Sequence, residues 1–510
     1  MSRPGADRAQ EAEALRIFLK LIRPHPLADP YPLYARLLDL APMLPIRFPG
    51  MPGAHLVSSY AGCSRLLRDP AFGPPTHGQL DTLRPGWRDN AFTRCLYRSM
   101  VFLSGPQHRQ RRQSAARFFT PRQVELYRAE LGEIAAQLVD GLAAHGGGPV
   151  DLVEQLALPF ASLSLGRLLA IDDDEAMRLG RLARQVGAVF EQFASADQHQ
   201  RVAENGAELV ARLAAIVTSQ RAASQGSGRQ QAGGRKDAQR GGRAGLLGRM
   251  AACPAGADEQ EQLGAAVLLF GAGFDSPASL AGLGTRLLLE HPTQARLVAE
   301  QPDLAAGAAA EILRYEPPVQ LVVRTALDPT NLAGAEIRAG TMVIGLVAAA
   351  NRDPAQVKEP WAFDVTREPS TGLSFGAGPH FCLGAALARL QGEVLFPRLL
   401  RRFPGLRLAG PPAYRSPGST LRGLESLPLY LEAPLARPAT ARPQPRPAPV
   451  AIRLTMSASS ALLVPMVTRT KPSPGVPKLR PRPSATLPRC RNTCAGSGPR
   501  SSAEQSTQAR

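Results

Sequence analysis

The residues best placed to do chemistry lie in SFGAGPHFCLG, positions 374–384, where one histidine and one cysteine share a turn with three glycines. A thiolate binds metal and a thiol does not, so a metal-binding cysteine needs its negative charge stabilised. Cys382 has that help in its surroundings: a helical pattern starts just after it, whose free N–H groups and positive dipole end favour an anionic sulfur. Gly376, Gly378 and Gly384 let backbone approach closely. On these grounds alone Cys382 is either a metal ligand or a small core residue. In GPQHRQRRQ, His108 and Arg112 stand at i and i+4, a spacing that serves a solvated basic face or two donors reaching one carboxylate edge. In EILRYEPP, Glu311 and Arg314 form an i, i+3 helix pair. GAGFDSP, positions 271–277, puts glycines and a proline into an apolar helical pattern. These cost about 1 and about 3 kcal/mol against alanine, so a helix holding both needs compensation.

Together these segments carry a family resemblance. SFGAGPHFCLG closely resembles the haem-binding signature of the cytochrome P-450 family, F-x-x-G-x-[HR]-x-C-x-G, at Phe375, Gly378, His380, Cys382 and Gly384. Four further segments resemble the family's in the right order, covering residues 20 to 432 and looking most like the soluble bacterial branch. The resemblance implies that haem b, iron protoporphyrin IX, is the cofactor and that Cys382 is the axial thiolate of its iron. It implies that Phe375 shields the sulfur and that Gly376 and Gly384 shape the turn. It also implies that His380, Arg324 in VQLVVRTA, His108 and Arg112 contact the haem propionates. Glu311, Arg314 and Arg367 in FDVTREPS are then a buried structural triad that holds the cysteine loop. Ala272, Gly273, Phe274, Asp275 and Ser276 align with the family's A-G-x-[DE]-T, which opens a groove for dioxygen. Asp275 and Ser276 are then the proton-relay candidates. Two departures stand out: serine replaces the usual threonine, and Pro277 removes the N–H that would bond the carbonyl of Gly273.

The elements that must position these residues are mostly helical with small β-sheets. Apolar residues at i, i+3, i+4 and i+7 predict helices over 123–145, 151–170, 174–194, 199–222, 303–315 and 384–402. A long apolar pattern from Asp258 to His291 predicts one helix crossing the protein's centre, which the resemblance places over the haem. Strands are expected near 319–325 and 341–346, with a hairpin in 44–60. Residues 223–246, rich in Gly, Gln and Arg, read as a surface loop. Leu268 and Leu269 on the central helix and Leu321 and Val322 after Pro318 are expected to face an apolar substrate, capped by residues 74–100.

Composition sets the outer limits. The net charge of +18 is concentrated in residues 434–510, which hold 13 Lys and Arg against one Glu, with 14 prolines. Residues 1–433 are therefore expected to form the catalytic domain and 434–510 a disordered Pro/Arg-rich tail. No nucleic-acid motif accompanies the charge. Six scattered cysteines indicate a reducing compartment, and no run of about 20 apolar residues is present. A soluble cytoplasmic protein without membrane insertion is expected. No dinucleotide fingerprint or flavin or iron–sulfur cysteine set appears, so an NAD(P)H-dependent reductase and a ferredoxin are implied partners. Arg109, Arg111, Arg112, Arg117 and Arg389 could attract an acidic ferredoxin. The expected reaction is monooxygenation of a small apolar organic substrate by dioxygen. The alternatives are a haem-thiolate peroxygenase, an oxidative coupling enzyme, or a haem-binding protein that never turns over.

Overall fold

The computed structural model describes residues 4–23, 27–47, 53–145, 148–191, 196–226, 245–252, 258–416 and 420–431. By contacts the chain divides into Met1–Thr440 and Ala441–Arg510, and the second unit lies wholly outside the described residues. So does the expected boundary at 433/434, together with most of the loop read at 223–246.

Ten helices matter for the site: α1 (Ala91–Tyr97), α2 (Gly105–Ala116), α3 (Arg128–Leu142), α4 (Leu158–Leu169), α5 (Asp173–Val186), α6 (Ala196–Gly226), α7 (Glu259–Gly273), α8 (Asp275–Glu290), α9 (Ala305–Tyr315) and α10 (Ala385–Arg402). Helices occupy every predicted stretch, but that at 123–145 is split into Pro121–Glu125 and Arg128–Leu142, and the ends of the others shift. The pattern at 151–170 starts as a single π-helical turn, Val153–Ala157, and that at 174–194 ends in a 3₁₀ turn, Gly187–Phe190. Periodicity fixes which residues face the core but not where a helix tightens, which accounts for both differences.

The expected hairpin is present as β1 (Met43–Ile46) against β2 (Ala54–Val57), with Met43 opposite Val57. These strands belong to a five-stranded sheet with β3 (Phe72–Gly73), β4 (Val322–Ala326) and β5 (Met342–Gly345), in the order β1-β2-β5-β4-β3. The β2 to β5 pairing is parallel and the others antiparallel. A large helical core includes Phe92, Leu131, Phe160, Leu165, Phe270 and Leu283, while the sheet packs its own smaller cores on its two sides.

The central pattern from Asp258 to His291 forms two helices rather than one. Asp258 caps α7 by accepting the N–H of Glu261 at 2.6 Å, and the helix runs to Gly273. Phe274 interrupts it while keeping helical angles, φ −88° and ψ −53°. Pro277 explains the interruption. Lacking an N–H, it cannot supply the i+4 donor for Gly273, but as the third residue of α8 it occupies a first turn, where proline is tolerated. The compensation that the sequence demanded is thus a restart of the helix.

Candidate functional site

The thiol turn is built from backbone. Gly376 and Gly378 adopt φ of +70° and +66°, the left-handed region that favours glycine. A Cβ on Gly378 would lie 2.6 Å from the carbonyl oxygen of Leu67 and 2.8 Å from Cα of Arg68, neither of which can yield. Cys382 donates its N–H to the carbonyl of Phe375 at 2.8 Å, and Phe381 donates to Gly378 at 3.0 Å. The sulfur is therefore presented three residues ahead of α10. Burial pushes the thiol pKa up, opposed by the Gly384 N–H and by the charges of Arg112 and Arg389. By surface area Cys382 is exposed. The crowding around the sulfur governs its chemistry, because it describes the reacting atom rather than the whole residue. Phe375 is buried, with the Arg389 guanidinium 5.2 Å from its ring centre.

Around this turn gathers a cluster of donors. The rings of His108 and His380 lie 4.2 Å apart, and Arg112 Nη2 donates to the carbonyl of Phe381 at 2.6 Å. Burial, followed by the charges of Arg324, His108 and Arg112, pushes His380 down to about 3. Burial pushes Arg324 down to about 10. It also lowers His108, helped by Arg112 and Arg109. Neither Arg112 nor Arg324 has a carboxylate partner among the described residues; each donates only to a backbone carbonyl, Phe381 or Val323. Crowded cations without counter-charge suit an anionic ligand. Two carboxylates on a ring whose metal accepts a thiolate match this donor set, so the residues present fit haem b.

The central helices offer a second surface. Ala265, Leu268, Leu269, Ala272, Gly273, Ser276 and Pro277 keep partial solvent access, while Ala266, Val267, Phe270, Gly271, Phe274 and Asp275 are buried. That alternation follows helical spacing, so one accessible stripe runs across the break. Arg111, 3.7 Å from Glu261, ties α2 to the start of α7. Ser276 stands on the stripe, and its hydroxyl makes no hydrogen bond among the described residues. Asp275 points elsewhere. Its Oδ1 accepts from Arg415 Nη1 at 2.5 Å, and its buried Oδ2 has no hydrogen-bond partner among the described residues. Gly187 makes room for that oxygen, since a Cβ there would collide with it. Burial raises the Asp275 pKa, and Arg415 works against the rise. The two expected relay residues are adjacent in sequence but face different sides.

Leu321 requires a correction. It is 2% exposed and packs with Leu44, Ile46 and Leu346 in a sheet-side core, so it does not line the stripe's cleft. Alternation along β4 sends neighbours to opposite faces, and Val322 alone of the two keeps solvent access.

Glu311 and Arg314 form a bidentate pair at 2.7 and 2.8 Å, almost fully buried. Arg314 also donates to the carbonyls of Asn351, Pro360 and Ala362 at 3.2, 3.0 and 3.0 Å. Arg367 lies 3.5 Å from Glu311 and donates to Lys358 at 2.7 Å. Asn351 continues the network: its Oδ1 accepts from Leu373 N at 2.7 Å, and its Nδ2 donates to Ser374 Oγ at 2.8 Å, at the edge of the thiol turn. Sequence reasoning missed Arg415, which lies 140 residues from Asp275 with no local signal. It also missed the buried cluster in which Glu316 accepts from Arg286 and from Arg422, the latter at 2.8 Å.

A mostly helical fold around a thiol turn, with a cation cluster that fits haem b, defines a class of haem-thiolate proteins. The cytochrome P450 family model matches residues 304–407. The chain is 32% identical over 405 residues to the cytochrome P450 monooxygenase PikC of Streptomyces venezuelae, covering 79% of this chain and 91% of that protein. It is likewise 32% identical to 6-deoxyerythronolide B hydroxylase of Saccharopolyspora erythraea, covering 79% and 96%. Among solved structures, P450BioI in complex with an acyl carrier protein ligated to hexadec-9Z-enoic acid matches with a TM-score of 0.69 and 28% identity, over 79% of this chain and 99% of that one. The chain belongs to the cytochrome P450 family. It is a monooxygenase with haem b as cofactor. Among the described residues one stretch, Glu259–Glu290, is long and apolar enough to span a membrane, but 56% of its most apolar window is buried inside the protein.

Proposed function

We propose that the chain inserts one oxygen atom of dioxygen into an apolar natural-product intermediate in the cytoplasm, using electrons from a ferredoxin and an NAD(P)H-dependent reductase. The observation that carries this reading is the cation cluster beside Cys382, whose arginines have no carboxylate partner among the described residues. Haem b, when bound, would supply the iron chemistry that reduces dioxygen. In this reading Cys382 holds that iron through its thiolate, with Gly384 N–H and the charges of Arg112 and Arg389 stabilising the anion. Arg324, Arg112, His108 and His380 hold the two propionates. Phe375 keeps water from the sulfur. Leu268, Leu269, Ala272 and Val322 form an apolar wall that favours an apolar substrate. The Ser276 hydroxyl, unclaimed by other side chains, passes protons toward the dioxygen site, while Asp275 is held behind the helix by Arg415. The arginines around α2, with Arg389, give a basic face for an acidic ferredoxin.

The relatives support the substrate class, since one is named for hydroxylating 6-deoxyerythronolide B. Peroxide-driven or coupling chemistry is the second reading, favoured by the turn of Asp275 away from Ser276. Oxygen uptake that depends on reductant supports the first reading, and turnover with hydrogen peroxide alone supports the second. Cys382→Ala tests the foundation. The reduced, carbon-monoxide-bound wild type should show the red-shifted Soret band of a thiolate haem, and the variant should lack it. An unchanged band would sink the assignment.

A further inference from the structure

Phe92, the second residue of α1, is fully buried, and two helices dispense with side chains to receive its ring. A Cβ at Gly206 in α6 would lie 2.6 Å from Cβ of Phe92, and one at Gly271 in α7 would lie 3.1 Å from its Cζ. Both glycines sit inside helices, where glycine is less favourable than alanine. Their use there has a local reason: the base of the ring lies at α6 and its tip at α7. Two turns back along α7, a Cβ at Gly264 would sit 3.9 Å from the carbonyl of Cys95, so α1 follows the line Gly264, Leu268, Gly271. Those positions are spaced i, i+4, i+7 and share one face, and Leu268 also belongs to the accessible stripe. The short helix α1 is therefore pinned along the edge of the stripe by one aromatic side chain.

We propose that Phe92, seated in the notches at Gly206 and Gly271, is the latch that clamps α1 and α6 onto the central helix and sets how fast a ligand reaches the stripe. The inference rests on the haem-pocket reading above. With the ring seated, α1 cannot leave α7 without α6 giving way too. Opening requires the ring to leave a fully buried slot, which holds the open form down by roughly 10- to 100-fold. Ligands of different size then meet the same slow step.

Stopped-flow absorbance with the holoenzyme tests this, using imidazole and 4-phenylimidazole as probes of the haem band. In wild type, association of both should level off at one common rate. Phe92→Ala should raise that ceiling roughly 10- to 100-fold, and Gly271→Ala, which pushes the ring tip out without making a hole, should raise it less. Hydrogen exchange of the α1 amides should accelerate in both variants, a readout that needs no ligand at the iron. If Phe92→Ala fails to fold, Gly271→Ala decides alone. Two results overturn the latch. One is association rates and α1 exchange within twofold of wild type. The other is tighter binding of 4-phenylimidazole by Phe92→Ala with unchanged imidazole kinetics, which would make the ring a passive wall. If neither probe shifts the wild-type haem band, it is the haem reading that fails, and exchange at α1 still judges the latch.

Discussion

The thiol turn and the helix break differ sharply in how firmly they are held. Cys382 ends a chain of buried contacts that runs from Glu311 and Arg314 through Asn351 to Ser374, and nearly every polar atom along it is paired. Across the central helices, Ser276 has no protein partner among the described residues, and Asp275 has one occupied oxygen and one without a partner. One side is over-determined and the other is left loose. A metal ligand must not move, because its distance sets the metal's properties, whereas a proton carrier must rotate between donor and acceptor. Under the proposed roles of Cys382 and Ser276, the difference in tasks is matched by a difference in hydrogen-bond count.

The most damaging test of that contrast attacks the firm side. Arg314→Met removes the bidentate partner of the buried Glu311 carboxylate and leaves it the longer contact to Arg367, which should cost about 3–5 kcal/mol and loosen the turn far from the substituted residue. The measured result should be poor haem retention and a lower thermal midpoint, and a variant with wild-type haem content would show that the network is ornamental. On the loose side, Ser276→Ala should leave haem content and thermal midpoint unchanged. Proton-transfer groups contribute roughly 10²- to 10⁴-fold, so product formed per NAD(P)H should fall while hydrogen peroxide rises. If Ser276→Ala stays coupled and Pro277→Thr uncouples instead, the carrier is a water at the Gly273 carbonyl, admitted by the proline.

A subtler effect belongs to Asp275. Its folded pKa is raised above the ordinary carboxylate value of 3.8, so the folded state holds the proton more tightly than the unfolded one. The stabilisation that this proton gives is complete below that value and is lost as pH rises through the folded value. Asp275→Asn cannot titrate. Its thermal midpoint relative to wild type should therefore climb as pH is raised from about 4 toward 7, and a pH-independent difference would show that Arg415 fully offsets the burial. The smallest expected effect is none at all: a chain ending at Ala433 should keep its haem spectrum and its stability within about 0.5 kcal/mol, as the Pro- and Arg-rich composition of the removed residues predicts.

Legibility in the sequence follows the same divide. The thiol turn is legible because its demands are local: positive φ at Gly376 and Gly378, and a helix directly after Cys382. Glu311 and Arg314 are legible as neighbours on one helix face. The orientation of Asp275 is not, since its partner Arg415 arrives from a strand pair at Ala413–Tyr414 and Leu424–Ser426 that no pattern near residue 275 announces. The placement of Leu321 is equally hidden, because an apolar residue beside a pocket and one beneath a sheet look alike in sequence. One register step decides between them.

The interrupted helix also carries its own optical label. A peptide carbonyl that loses its main-chain N–H donor keeps a stiffer C=O bond and vibrates at higher frequency than its helical neighbours. Pro277 removes that donor from Gly273 in every molecule, so isotopic substitution of this one carbonyl would give an infrared line apart from the helical band, at the point where the accessible stripe crosses the break. Its position would report what stands in for the missing N–H: a water, the serine hydroxyl, or nothing polar at all.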